Sequence, residues 1–132
     1  MDAVSAYLAA RLHEEIYMKV PEGYNTRRAE FVRLLRGLYG LKQSARLWNK
    51  LLVDFLKTLG FVQSLYDPCL MLRDGMAITI YVDDLLFFAA NIKEIEEVKQ
   101  AIKDRFKIKD LREAKTYLSI NITYIKTTLK IN

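Results

Sequence analysis

The chain has 132 residues, 52 % of them hydrophobic and only 2 Pro and 5 Gly, which fits one domain with a real core and excludes a disordered chain. One Cys and one His exclude a disulfide framework and a zinc site built from several such ligands, and a reducing intracellular compartment is the expectation. The net charge of +5 is compatible with a nucleic-acid partner without proving one.

No membrane partner is expected. The longest apolar stretch, Met76 to Ala90, is broken by two aspartates and falls short of the roughly 18–20 residues of a spanning helix.

In chain order, residues 15–20 (EIYMKV) read as a short strand closed by Pro21-Glu22-Gly23, and residues 30–35 (EFVRLL) as another. Gln43 to Leu59 reads as a helix. Trp48, Leu51, Leu52, Phe55, Leu56 and Leu59 make one apolar stripe, and Gly60 is placed to stop it. The period then changes. Cys69 to Arg73, Met76 to Val82 and Leu85 to Ala89 read as strands, the first two joined by the turn pair Asp74-Gly75. A second helix spans about Ile92 to Phe106, with Ile95, Val98, Ile102 and Phe106 on its buried face and Asn91 and Glu94 as its N-terminal signature. Residues 115–125 read as a last strand. The fold class expected is α+β: an antiparallel sheet with helices on one face. Met71, Met76, Phe87 and Phe88 read as core, and Cys69 as buried and inert.

The most informative segment is AITIYVDDLLFFA, residues 77–89. Two adjacent carboxylates stand between two apolar strands. Burying an unpaired carboxylate costs several kcal/mol, and a second one beside it adds repulsion. A tight turn that exposes Asp83 and Asp84 at a sheet edge avoids both costs. Such an acidic spot suits a hard divalent cation, which takes oxygen ligands. The plainer reading is a hairpin whose turn is acidic, since Asp is a common turn residue.

Tyr81-Val82-Asp83-Asp84 resembles the catalytic motif of reverse transcriptases. The whole chain is similar to the polymerase domain of copia-type LTR retrotransposons. DAVSAYL at 2–8, EEIYMKVPEGY at 14–24, LYGLKQSARLW at 38–48, LGFVQSLYDPCL at 59–70, YVDDLL at 81–86 and IKDLREAKTYLSI at 108–120 carry the resemblance. It implies a palm-like fold, with part of the fingers present and the upstream fingers, thumb and RNase H segments absent. It implies RNA-directed DNA synthesis by two-metal nucleotidyl transfer, with Asp2, Asp83 and Asp84 as catalytic residues and metal ligands. They would hold two Mg²⁺ (or Mn²⁺) ions about 4 Å apart. Tyr7 corresponds to the aromatic gate under the sugar of the incoming nucleotide, and Gln43 to a residue near that nucleotide and the template base.

The partners implied are an RNA/DNA template-primer, deoxynucleotide triphosphates and the remaining segments of a Pol polyprotein. Residues 27–50 hold seven basic residues (Arg27, Arg28, Arg33, Arg36, Lys42, Arg46, Lys50) against one acidic, Glu30. Arg46 and Lys50, opposite the apolar stripe of their helix, are the candidate contacts to a phosphate backbone. Ordinary readings stand beside these: a frayed Asp2, a half-buried Tyr7, a polar Gln43 at a helix start and a solvated basic face.

The chain departs from the family at Ala9-Ala10 (usually Asn-Gly), Ala45 (Pro), Arg112 (Gly) and Ser119 (Gly). Where glycine supplies a positive φ, such changes strain a turn. The alternative function is therefore an inactive, truncated element-derived chain with residual nucleic-acid or protein binding. A metal-dependent phosphodiester hydrolase on the same carboxylates lacks any motif around its one histidine, His13.

Overall fold

The computed structural model describes residues 1–24 and 30–123. The elements run β1 (Asp2–Ala3), α1 (Ala6–Ala9), β2 (Arg11–Lys19), β3 (Phe31–Arg36), α2 (Lys42–Thr58), β4 (Val62–Gln63), β5 (Leu70–Arg73), β6 (Met76–Tyr81), β7 (Asp84–Ala89), α3 (Ile92–Arg105), β8 (Ile108–Lys109), β9 (Thr116–Tyr117) and β10 (Ile120–Asn121). Six strands form one antiparallel sheet in the order β4-β5-β6-β7-β1-β8. A β2-β3 ribbon and a small β9-β10 hairpin complete the described strands. The expected α+β class is observed. No described helix is long and apolar enough to cross a membrane.

Strand pairing puts the core on one face of the sheet. Met76, Ile78 and Ile80 of β6 lie opposite Ala89, Phe87 and Leu85 of β7, so all six project to the same side. Ile78 and Ile80 are sealed from solvent, as are Trp48, Leu52 and Leu56 from α2 and Ile102 from α3. Phe106 locks the two helices together, edge-on to both Trp48 and Phe55 at 5.3 Å between ring centres. The helices therefore cover one face; on the other, the Thr79 hydroxyl donates to the Tyr117 hydroxyl of β9 at 3.2 Å. Phe88, expected in the core, pairs with Ala77 on that second face and is half-exposed.

Local signals explain the ends of both helices. Gly60 adopts φ +86°, and the Gly60 and Phe61 N–H groups donate back to Lys57 and Leu56 to close α2. At α3, the Asn91 side chain accepts from the Lys93 N–H at 3.0 Å and donates to Glu94 at 3.0 Å.

Three further expectations are corrected. The first strand reaches back to Arg11, because β3 pairs with it as far as that residue across a bulge. Residues 115–125 are not one strand. Leu118 and Ser119 both take positive φ, 49° and 66°, and reverse the chain between β9 and β10; residues 124 and 125 lie outside the described residues, as do Arg27 and Arg28. Cys69 is exposed: it ends the loop before β5, where the Asp67 carboxylate holds its N–H at 2.8 Å. Lys99 is buried on α3, where periodicity shows only the apolar residues.

Lys99 is satisfied by Glu96 at 3.1 Å and Asp110 at 3.3 Å, and Lys103 adds a second cation to Asp110 at 3.1 Å. Burial alone would raise the Asp110 pKa. The Arg112 N–H and the two lysines outweigh it and hold the carboxylate at about 2. Its contribution to stability is therefore complete above the ordinary carboxylate range and is lost as pH falls from about 4 to 2.

The family departures divide. Ala10 sits in ordinary extended backbone (φ −90°, ψ 131°), and Ala45 is exposed in the first turn of α2. Arg112 and Ser119 have φ of 62° and 66°, the conformation for which glycine is suited.

Asp110→Asn should lower stability at pH 7 by about 1–3 kcal/mol and flatten the acid limb below pH 4, measured by chemical unfolding at several pH values. Arg112→Gly and Ser119→Gly should each raise stability by about 0.5–1 kcal/mol in the same measurement.

Candidate carboxylate site

The site is built where β1 inserts between β7 and β8. Met1 and Leu85 exchange backbone hydrogen bonds at 2.8 Å in both directions, and the Ala3 N–H donates to the Asp83 carbonyl at 2.9 Å. Between those bonded positions Asp2 faces Asp84 directly. This is the non-hydrogen-bonded kind of antiparallel pair, in which Cα atoms approach to about 4.5 Å and side chains are closest. Like charges directly opposite destabilise a sheet, so the arrangement costs the fold stability.

Register extends the row. Tyr81 lies opposite Asp84, and Lys109 of β8 lies opposite Asp2. Tyr81, Asp84, Asp2 and Lys109 thus cross four strands on the face away from the helices. Lys109 was not singled out from sequence; only the β1-β8 register exposes its place.

Asp83 enters from the turn between β6 and β7. Val82, beside it, has φ 55°, a strained conformation for a β-branched residue. The Trp48 indole holds that turn by donating to the Val82 carbonyl at 2.7 Å. The buried helix α2 thereby fixes the acidic turn above the core.

The electrostatics follow from this crowding. Asp84 has a raised pKa, first because it is partly desolvated, then because Asp83 and Asp2 repel its charge. Its favourable contribution is present below the ordinary carboxylate range and is lost as pH rises through the elevated value. Asp83 is different: one of its oxygens accepts a hydrogen bond from the Tyr39 hydroxyl at 2.9 Å. That bond, with slight burial, pushes the Tyr39 pKa up to about 12.

Tyr39 also lies against Tyr7, with ring centres 4.3 Å apart and planes tilted by 53°. Tyr7 is buried on α1, so the expected gate residue stands one ring away from the acidic turn. Gln43 does not point to the carboxylates; its amide donates to Glu14 of β2 at 3.2 Å. Arg46 is exposed on α2, and Lys50 is bound to Asp54 at 2.7 Å on the same exposed face. Tyr39 lies in the LYGLKQ segment, but nothing local marks its bond to a residue 44 positions away.

The donor chemistry fits a hard divalent cation: three neighbouring carboxylates, with the Tyr39 hydroxyl on one of them. Among the described residues, however, no three His, Cys, Asp or Glu side chains are gathered tightly enough to grip one ion as they stand.

Comparison with known proteins defines the class. A family model for the reverse transcriptase (RNA-dependent DNA polymerase) matches residues 1–132, and the chain belongs to that family. It is 38 % identical to a putative transposon Ty5-1 protein of Saccharomyces cerevisiae over 92 % of this chain and 42 % of that protein. It is 33 % identical to the retrovirus-related Pol polyprotein from transposon RE1 of Arabidopsis thaliana, over 100 % of this chain and 9 % of that one. The corresponding figures for the transposon TNT 1-94 polyprotein of Nicotiana tabacum are 30 %, 99 % and 10 %. The copia-type resemblance drawn from the motifs is thus borne out, and the chain spans less than half the length of these relatives. No solved structure matches the chain.

Gly37 lets the β3-α2 connection pass close to α1. A Cβ there would meet the Tyr7 carbonyl at 2.7 Å and the Ser44 hydroxyl at 2.8 Å. Gly37→Ala should therefore cost about 1–3 kcal/mol and disturb the Tyr7–Tyr39 contact, read as a lower melting temperature and a changed near-UV tyrosine signal.

Proposed function

We propose that the chain is the palm, with part of the fingers, of a copia-type retrotransposon Pol reverse transcriptase, and that Asp2, Asp83 and Asp84 form its nucleotidyl-transfer site. The observation that carries this reading is the Asp2–Asp84 register. A fold selected for stability alone does not set two carboxylates in the closest cross-strand position and a third in the adjoining strained turn.

Asp2, Asp83 and Asp84 would hold two Mg²⁺ or Mn²⁺ ions, which would supply charge neutralisation for an in-line displacement. The chain's own residues provide position and charge. Asp2 and Asp84 present oxygens from a rigid ladder, and Asp83 adds its own from the turn. Tyr7, backed by Tyr39, offers an aromatic floor to the sugar of a deoxynucleotide triphosphate. Gln43, at the start of α2, reaches a nucleotide by exchanging its Glu14 contact. Arg46 and Lys50 meet the phosphates of an RNA/DNA template-primer. The Lys50–Asp54 pair is exposed and therefore weak, so a phosphate can replace its carboxylate. Other Pol segments supply the remaining surfaces of the enzyme.

The left-handed backbone at Arg112 and Ser119 favours a second reading, in which the chain is an inactive element-derived protein that keeps nucleic-acid or protein binding.

Primer extension on an RNA template with Mg²⁺ separates the two. The polymerase reading expects incorporation that falls at least about 100-fold with Asp83→Asn. Incorporation that is indifferent to Asp83→Asn contradicts the site assignment. None in the wild type favours the second reading.

A further inference from the structure

We propose that Tyr39 is a positioning residue for the carboxylate site, a latch whose hydroxyl competes with a divalent cation for the Asp83 carboxylate. The inference rests on the reading of Asp83 as a metal ligand.

Both ends of the latch are held by backbone. On one side, Tyr39 sits in a tight connection between β3 and α2, with the Leu41 N–H donating to the Leu38 carbonyl and Gly40 at φ +92°. The buried Ser44 hydroxyl accepts the Leu38 N–H at 3.0 Å and pins the start of that connection. The Tyr39 ring is largely exposed, so burial does not fix its direction; the buried Tyr7 ring, 4.3 Å away, does. On the other side, Asp83 stands in a turn clamped by Trp48. The 2.9 Å hydroxyl–carboxylate bond therefore joins two preset groups.

The consequence is a two-state Asp83. Latched, one of its oxygens serves Tyr39, and the three aspartates do not form a closed cage. Released, Asp83 is free to turn toward the Asp2–Asp84 pair. A cation must offset the lost hydrogen bond before it gains the third carboxylate, so the latch weakens cation binding in the resting chain. Because the same ring lies against Tyr7, the latch also ties Asp83 to the residue proposed as the sugar floor.

Mn²⁺ binding to the chain, followed by electron paramagnetic resonance without nucleotide or template, tests this. Tyr39→Phe keeps the ring contact with Tyr7 and removes only the hydroxyl. It should bind Mn²⁺ roughly tenfold more tightly than wild type, and the gain should vanish in the Asp83→Asn background. A parallel measurement needs no substitution: adding Mg²⁺ to wild-type chain labelled at the tyrosine ring carbon bearing the hydroxyl should shift the Tyr39 resonance as the bond opens. If Tyr39→Phe binds Mn²⁺ no more tightly, or Mg²⁺ binds through Asp83 without moving the Tyr39 resonance, the latch is wrong while the site reading stands. If Mn²⁺ binding ignores Asp83→Asn altogether, both are wrong.

Discussion

Everything in this molecule that bears on function depends on one backbone ladder. Two residues of β1 fill the space between β7 and β8, and hydrogen bonds between Met1 and Leu85, Ala3 and Asp83, and Val4 and Lys107 set the register of the acidic face. A slip of one residue would send Asp2 into the helix-covered side and turn Ala3 outward, because side chains alternate along a strand. Ala3 is buried, so the core itself enforces the register that brings Asp2 to Asp84. Hydrophobic packing on one face thus sustains an electrostatic penalty on the other.

The helices serve the same end. The apolar stripe of α2 buries Trp48 among the sheet residues, and the indole N–H then reaches the turn that carries Asp83. The start of the same helix uses Ser44 to fix the connection that presents Tyr39. One amphipathic helix therefore positions two sides of the site, and α3, anchored through Lys99 to Asp110, closes the far side of the core. The chain belongs to the reverse transcriptase family, and under the proposed reading a rigid sheet offering carboxylates is what in-line phosphoryl chemistry with hard cations would require.

Much of this was legible in the sequence, and the exceptions have a common cause. The stripe from Trp48 to Leu59, the Asn91–Glu94 signature and the Asp74-Gly75 turn act over a few residues, and they placed α2, α3 and the β5-β6 hairpin within a residue or two. The cost of burying adjacent carboxylates pointed to a turn at Asp83-Asp84; the chain turns one residue earlier, at Val82-Asp83, and Asp84 starts β7 as a partly buried ladder residue. What stayed hidden was set by distant partners. β1, β4 and β8 are two residues each, too short to show a period, and β1 exists only because β7, more than 80 residues on, accepts it. The Tyr39–Asp83 bond and the burial of Lys99 are likewise products of the assembled fold. The family's glycine positions pointed correctly to positive φ at Arg112 and Ser119, whereas the Ala9-Ala10 substitution left the backbone ordinary.

The central claim is that Asp2, Asp83 and Asp84 act as one charged unit. The carboxyl-carbon NMR titration of Asp84 measures this most directly. Mutual repulsion predicts that the raised Asp84 pKa falls toward the ordinary range in Asp2→Asn, and falls again when Mg²⁺ is added to the wild type. An Asp84 titration that neither the substitution nor the cation moves would contradict the account.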